Sequence, residues 1–138
     1  MTQINAYLGF NGNCREAMTF YKECLGGELT LQTVEGTPMA EHMPAEAGHN
    51  ILHSTLTNGD WTLMATDMAR GERINGNTVF LCLNCSSKEE IETLFFSLSS
   101  GGEVIDPLSE QFWGGTLGGL TDKFGMNWML NYEKDAEK

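Results

Sequence analysis

The sequence predicts an α+β fold in which a βαβββ module occurs twice, and three repeated features support this prediction. An amphipathic helical pattern recurs 74 residues further along the chain, each copy ends at two adjacent glycines, and each is followed by a new strand. One module could not bury both its helix and its sheet, so we expect the two modules to pack together. They would form a curved, mostly antiparallel eight-stranded sheet around a cleft, with the helices on the convex side.

The first module begins with a strand-like alternation of apolar and polar side chains over residues 4–10. A helix follows, and its apolar residues have the i, i+3, i+4, i+7 spacing of one helical face: Ala17, Phe20, Tyr21 and Cys24. Gly26 and Gly27 then end the helix, because glycine is common at a C-cap, and a second strand starts at Glu28.

The second module repeats this order, beginning with a strand over residues 78–83. Ser87 and Glu90 have the spacing of a capping box, which starts a helix. The apolar positions of this helix match those of the first: Ile91, Leu94, Phe95 and Leu98. Gly101 and Gly102 end it, and a strand resumes directly afterwards.

The remaining strands of both modules are predicted to form hairpins. Residues 51–57 and 61–66 flank Asn58-Gly59, a pair typical of the type I′ turn between antiparallel strands. Residues 112–120 and 127–132 occupy the corresponding positions of the second module. Each module therefore has one strand, one helix and then about three more strands.

We expect one domain over residues 1–138, made of these two modules. The first module covers about 1–70 and the second about 78–134, with a connector at 70–77 and a polar tail at 135–138. Within the first module, residues 36–49 form a long irregular segment, the kind that folds over a pocket or remains mobile.

The charge of the chain excludes several classes of partner. Eight basic and nineteen acidic residues give a net charge of −11, so nucleic acid and anionic membranes would repel this surface. Neither a signal peptide nor a membrane-spanning segment is present, and we therefore expect a cytoplasmic protein. In that compartment cysteines stay reduced, and this applies to all four: Cys14, Cys24, Cys82 and Cys85.

Cys82 and Cys85 have the spacing of a redox motif, but they fall in or at the end of a predicted strand. Strand alternation directs the two thiols to opposite faces, whereas redox cysteines require a helix N-terminus. This favours small apolar residues over a redox or metal site.

Several segments resemble a known family. They are residues 11–21, 25–28 and 63–67, together with Glu-Gln-Phe-Trp at 110–113 and Thr-Asp-Lys-Phe-Gly-Met-Asn-Trp at 121–128. These segments resemble the PhnB-like proteins of the vicinal-oxygen-chelate superfamily, which includes glyoxalases, bleomycin-resistance proteins and extradiol dioxygenases. The resemblance covers nearly the whole chain and implies paired βαβββ modules and a homodimer.

In the enzymes of that superfamily, His or Glu side chains hold a divalent metal that polarises the substrate. Carried onto this chain, the ligand positions fall at or near Asn5, Leu63 or Met64, Val79, and Met129. None of these residues is His or Glu, and a thioether does not suit Mg²⁺ or Mn²⁺. We therefore expect the metal site to be absent and no cofactor to be bound.

Other candidate chemistry comes from three histidines within twelve residues: His42, His49 and His53. A metal or acid–base site with Glu41 or Glu46 is conceivable, but the His-x-x-x-His spacing binds metal best on a helix, and this segment is a predicted strand. A pocket role for His53 alone is better supported, because its strand would let it point into the cleft. Asp67 and Asp122 close turns, where capping of the turn is the expected role.

The expected ligand site has apolar walls and a few polar groups, and it comprises Tyr7, His53, Met64, Gln111, Trp113 and Met129. The leading hypothesis is a homodimeric protein that binds a small apolar or aromatic molecule in the cleft without metal. The alternatives are a metal-dependent lyase, isomerase or thiol transferase of the same superfamily, and a structural protein whose own side chains fill the cleft. Some PhnB-like proteins are named methyltransferases, but this chain has no strand followed by a Gly-x-Gly nucleotide loop.

Overall fold

The computed structural model describes residues 2–42, 48–68 and 71–133, with the side chains of Met39 and His42 excepted. This part of the chain divides into two compact units, with the boundary between Ile74 and Asn75. Each unit has the strand–helix–three-strand order, so the predicted α+β fold of two βαβββ modules is confirmed. The polar tail at 135–138 lies outside the described residues.

The first unit contains a four-stranded mixed sheet and one long helix. Its elements are β1 (Ala6–Gly9), α1 (Cys14–Leu25), β2 (Glu28–Thr33), a 3-10 helix (Pro38–His42), β3 (Ile51–Asn58) and β4 (Trp61–Thr66). The strand order is β1-β4-β3-β2, in which β1 and β4 are parallel and the other neighbours are antiparallel.

The second unit has the same topology. Its elements are β5 (Leu81–Cys85), α2 (Lys88–Ser99), β6 (Glu103–Glu110), β7 (Gly115–Thr121) and β8 (Asn127–Glu133). The strand order is β5-β8-β7-β6, again with one parallel pair, β5 with β8. The eight predicted strands are thus hydrogen-bonded as two four-stranded sheets.

Both helices pack one face against their own sheet. The buried residues of α1 are Cys14, Ala17, Met18 and Tyr21, so the predicted stripe was correct at Ala17 and Tyr21 but lies nearer the helix start. The reason is that α1 begins at Cys14, one turn ahead of the first predicted apolar position. On α2, the predicted Ile91, Phe95 and Leu98 are buried.

The start of α2 confirms the predicted capping box. The Ser87 hydroxyl accepts a hydrogen bond from the Glu90 amide (3.1 Å), and the Glu90 carboxylate in return accepts one from the Ser86 amide (3.0 Å). The first bond satisfies one of the free N–H groups at the helix N-terminus, whereas the second reaches the residue before the N-cap rather than Ser87 itself.

The glycine pairs after the helices are required by a close approach of two backbones. A Cβ atom on Gly27 would lie 2.5 Å from the Thr57 carbonyl oxygen, and one on Gly102 would clash with the Thr121 carbonyl oxygen. Thr57 is the second-last residue of β3 and Thr121 is the last residue of β7, so in each unit the chain leaving the helix lies close to the end of a strand. The repeated glycines are therefore explained by packing as well as by helix termination.

The turn between β3 and β4 differs from the prediction. Asn58 pairs with Trp61, so the two central residues are Gly59 and Asp60 rather than Asn58 and Gly59. Only Gly59 has a positive φ (60°), whereas a type I′ turn needs positive φ at both positions. Glycine at the first central position alone fits a type II′ turn.

Two predicted strand boundaries were also wrong. β7 starts at Gly115, not at residue 112, because the Gly114 amide donates to the Gln111 carbonyl and the Gln111 amide donates to the Gly115 carbonyl. These bonds make Phe112 and Trp113 part of a turn. β5 starts at Leu81, three residues after the predicted start.

The side of each sheet that faces its helix forms the core. In the first unit, Leu8, Leu56 and Leu63 are buried there, and in the second, Trp128 and Leu130 are. The opposite side of each sheet is called its helix-free face below. Within the described residues, no helix is both long and apolar enough to cross a membrane.

Candidate functional site

On the helix-free face of the first unit, a row of side chains crosses all four strands. Strand pairing aligns Tyr7 on β1 with Met64 on β4, Met64 with Thr55 on β3, and Thr55 with Thr30 on β2. Tyr7 is about half exposed, and Met64 and Thr55 are half-buried. The row therefore combines apolar surface with hydroxyl groups.

His53 extends this row. Its ring lies 5.9 Å from the Tyr7 ring, centroid to centroid, at an interplanar angle of 58°. The Thr55 hydroxyl is 3.3 Å from His53 Nε2, a hydrogen bond in which either group can donate, depending on the histidine tautomer. Three of the predicted ligand-binding residues, Tyr7, His53 and Met64, thus come together on one face.

The second unit has a corresponding row on its helix-free face. Pairing aligns Cys82 on β5 with Met129 on β8, Met129 with Gly119 on β7, and Gly119 with Asp106 on β6. Met129 therefore occupies the same place in its sheet as Met64 does in the first. This equivalence follows from the strand register and could not be inferred from the helix offset.

Beside this row lies a cavity of about 320 Å³, called the hollow below. Its lining residues are Asp106, Pro107, Ser109, Gln111, Leu117, Gly118 and Met129. The Gln111 side-chain amide donates to the Ser109 carbonyl oxygen (3.1 Å) and lies 3.0 Å from the Ser109 hydroxyl. Two predicted residues, Gln111 and Met129, thus share one cavity, whereas the other five lining residues were not predicted.

Trp113 lies in the β6–β7 turn, two residues after Gln111, and is half exposed. Its ring packs edge-on against Phe112, with centroids 5.0 Å apart and an interplanar angle of 88°. Trp113 is not one of the residues that line the hollow. The predicted residues are therefore divided between the units, three on the first and three on the second.

A second cavity, of about 460 Å³, is lined by asparagine, threonine and glycine residues and was not predicted. Its lining residues are Asn75, Gly76, Asn77, Thr121, Gly125 and Asn127. The side-chain amide of Asn127 donates hydrogen bonds to the carbonyl oxygens of Gly76 (2.6 Å) and Val79 (3.2 Å). These bonds hold the connector against β8. The Asn75-Gly-Asn77 segment was the only indication in the sequence.

The positions at which the resemblance puts metal ligands do not offer donors for a hard divalent cation. Asn5 and Val79 are exposed and precede the strands, and Leu63 is buried against the helix side. Met64 and Met129 lie on helix-free faces, but their sulfur atoms do not suit Mg²⁺ or Mn²⁺. These residues do not fit the superfamily's metal, so no chemical step through a metal follows from them.

The histidine segment is only partly described. His53 is half-buried on β3 and His49 is exposed ahead of it. The His42 side chain and Glu46 lie outside the described residues. Across 2–42, 48–68 and 71–133, no three His, Cys, Asp or Glu side chains are grouped so that they could hold a metal ion.

The Cys82-x-x-Cys85 segment lies on β5, and its two thiols point to opposite faces, as predicted. Cys82 is exposed, whereas Cys85 is buried on the helix side. Burial, with smaller contributions from Glu90 and Cys82, raises the pKa of Cys85 to about 11. A thiol with such a pKa is a poor nucleophile at neutral pH.

Asp67 and Asp122 both accept several hydrogen bonds. The Asp122 carboxylate accepts the backbone amides of Phe124 (2.8 Å) and Met126 (3.0 Å), which confirms turn capping, and also the Trp128 indole N–H (2.8 Å). Asp67 instead binds three amides in distant segments, so its predicted local capping role was wrong. Both carboxylates stabilise the fold of their own units.

Comparisons with known proteins agree with this architecture. The family model described as 3-demethylubiquinone-9 3-methyltransferase matches residues 2–131. Protein YjdN from Escherichia coli K12 is 28% identical over 95% of both chains. The structure of PA1353 from Pseudomonas aeruginosa is 40% identical, covers 96% of this chain and 98% of its own, and superposes with a TM-score of 0.82.

Two further structures extend the comparison. The PhnB protein from Bacillus cereus is 25% identical over 95% of this chain and 99% of its own, with a TM-score of 0.78. A glyoxalase/bleomycin resistance protein/dioxygenase from Nocardioides is 19% identical over 96% and 85%, with a TM-score of 0.60, and shows the fold alone. The chain therefore belongs to the PhnB-like family, described as 3-demethylubiquinone-9 3-methyltransferase, and has the fold of the glyoxalase/bleomycin resistance/dioxygenase superfamily.

Proposed function

We propose that this protein binds a small apolar or aromatic molecule on the helix-free faces of its sheets and does so without a metal. The observation that carries the proposal is the hollow of about 320 Å³ beside Met129. Ligand pockets typically have volumes from about 300 Å³ upward, with apolar walls and a few polar groups. Here Leu117 and Met129 supply apolar surface, and Gln111 and Ser109 supply hydrogen-bonding groups.

The first unit contributes a second recognition surface to this proposal. Tyr7 and Met64 present an aromatic ring and a flexible thioether side by side, and His53 adds a polar edge. Methionine adapts its shape to different partners, and sulfur makes favourable contacts with aromatic rings. A planar ligand would bind well against such a surface.

Binding of 1-naphthylmethanol, a neutral aromatic probe, tests the proposal by calorimetry and by thermal shift. A ligand that binds only the folded protein raises its stability by RT ln(1 + [L]/Kd). We expect saturable binding that Gly119→Val weakens at least about tenfold, equal to about 1.4 kcal/mol, because the new side chain would fill space beside Met129.

Gly76→Ala is the matched control, since a Cβ there meets nothing within 4 Å and the residue lies outside the hollow. Equal binding by the wild type and Gly119→Val would remove the hollow from the proposal. If neither this probe nor any compound of a wide aromatic and antibiotic panel binds, the proposed binding function is refuted.

A metal-dependent lyase, isomerase or thiol transferase is the alternative function. Elemental analysis of protein purified without chelator distinguishes the two, because such an enzyme would retain stoichiometric Zn, Ni, Mn or Fe. Stoichiometric metal would overturn the metal-free proposal.

Methyl transfer, the activity in the family's description, is tested by incubating the protein with S-adenosylmethionine and a demethylated quinone and measuring the methylated product.

We also propose that the protein is a homodimer in the cytoplasm. Support for a dimer comes from the resemblance to the PhnB-like family, in which module edges often pair between two chains. Support for the compartment comes from four cysteines, none of which forms a disulfide bond. Light scattering coupled to size-exclusion chromatography gives the mass, and a monomeric mass at high concentration would contradict the dimer.

A further inference from the structure

Asp106 is the only charged residue among those that line the hollow. It lies on β6 where the pairing with β7 is irregular, with register shifts on both sides of it, and Pro107 follows directly. Bulges of this kind redirect a side chain out of the regular alternation. The local backbone thus sets this carboxylate apart from the other acidic residues of the strand.

The Asp106 carboxylate lies near the Met129 side chain, which also lines the hollow. A Cβ atom on Gly119 would lie 3.7 Å from Asp106 Oδ2 and 3.6 Å from the Met129 methyl carbon. Because glycine has no side chain, the space between the carboxylate and the thioether stays open. One ligand could therefore contact both groups.

No hydrogen bond or ion pair to the Asp106 carboxylate occurs within the described part of the second unit. This contrasts with Asp122 in the same unit, whose two oxygens accept three hydrogen bonds. The other charged groups of the chain add to the effect, since the net charge is −11. An exposed carboxylate that is unpaired there, borders a cavity with both polar and apolar lining residues and lies within a negative field attracts a cation.

We infer that the ligand of the hollow carries a basic nitrogen, which pairs with Asp106 while its apolar part lies on Met129 and Leu117. The inference rests on the proposed function and specifies the chemical class of ligand: an amine-bearing or amidine-bearing aromatic compound. The same carboxylate weakens the binding of anionic compounds of the same shape.

The experiment compares three naphthalene probes of similar shape: 1-naphthylmethylamine, which is cationic, 1-naphthylmethanol, which is neutral, and 1-naphthoate, which is anionic. Their Kd values are measured at low salt by calorimetry. Exposed charge pairs contribute up to about 1 kcal/mol, so we expect the amine to bind about threefold to fivefold more tightly than the alcohol. The naphthoate should bind more weakly than both, and high salt should reduce these differences.

Asp106→Asn should abolish the preference for the amine, so that the amine and the alcohol bind this variant with similar Kd values. Glu103→Gln is the matched control, because Glu103 lies on the same strand, is exposed and does not line the hollow, and the variant has the same net charge. The inference is wrong if the alcohol binds but the amine has no advantage, or if Glu103→Gln removes the advantage as fully as Asp106→Asn. If none of the three probes binds, the result contradicts the proposed function, and the inference that rests on it fails as well.

Discussion

Replacing Asp67 with Ala removes one carboxylate that joins three segments of the first unit. Asp67 Oδ1 accepts hydrogen bonds from the backbone amides of Gly12 (2.8 Å) and Cys14 (3.0 Å), and Oδ2 accepts one from Ile51 (2.8 Å). The helix α1 has no side-chain cap of its own, because Asn13 at the N-cap position makes no capping hydrogen bond. A residue from the far end of β4 thus caps the helix and anchors the start of β3.

The magnitude follows from the burial of these amides. The hydrogen bonds to Cys14 and Ile51 are partly buried, so water cannot fully replace the carboxylate, whereas that to Gly12 is exposed. Hydrogen bonds to a charged group contribute about 1.5–3 kcal/mol each. We expect Asp67→Ala to lower the free energy of unfolding by about 3 kcal/mol, and Asp67→Asn by about half of that, since the amide keeps one acceptor oxygen.

Urea unfolding followed by tryptophan fluorescence measures this loss, and hydrogen exchange locates it. The amides of Cys14 and Ile51 should exchange faster in Asp67→Ala, while those of α2 should not change. Two controls are Asn13→Ala, which removes the local N-cap residue, and Asp60→Ala, which removes an exposed carboxylate. Each should cost less than about 0.5 kcal/mol. A loss below about 1 kcal/mol for Asp67→Ala, or an equal loss for Asn13→Ala, would refute long-range capping.

Three further predictions concern thiol reactivity, the pH dependence of stability and glycine packing. Burial raises the pKa of Cys14 to about 11, so Cys14 should react with a thiol reagent far more slowly than the exposed Cys82, as mass spectrometry of the labelled native protein would show. The folded state favours the protonated thiol, so protonated Cys14 contributes to the free energy of unfolding. This contribution is full below about pH 9 and is lost as the pH rises through about 11. A Cys14→Ala variant should therefore show a smaller fall in its urea midpoint across that pH range. Gly27→Ala should cost about 2–3 kcal/mol in thermal or urea unfolding, because its Cβ would lie 2.5 Å from the Thr57 carbonyl oxygen and its φ is 100°, whereas Gly76→Ala should cost less than about 0.5 kcal/mol. Equal stabilities of the two glycine variants would contradict the packing explanation.

The repeat of helices, glycine stops and strands was predictable because each of these features depends on neighbouring residues. The α2 stripe of Ile91, Phe95 and Leu98 and the capping box at Ser87 need only helical periodicity and a contact across one turn. The opposite faces of Cys82 and Cys85 needed only the alternation of a strand. Hairpin details were less predictable, since the β3–β4 register moves the turn by one residue and changes its type.

The candidate site was predictable in part. Tyr7, His53 and Met64 lie on one face, as strand alternation predicts, and Gln111 and Met129 both line the hollow. Asp106 was not identified, because irregular pairing along β6 decides which of its side chains reach the hollow. No periodic pattern in the sequence encodes such a bulge.

The sequence by itself therefore determined the two βαβββ modules, the ends of their helices and the residue types available for a ligand site. Only the tertiary structure decided that Asp67 caps a helix whose first residue lies 53 positions earlier, and that Asp106, Gly119 and Met129 meet. The physical reason is the range of the interactions. Periodicity and capping act within a few residues, whereas these contacts depend on strand register, which many side chains set together.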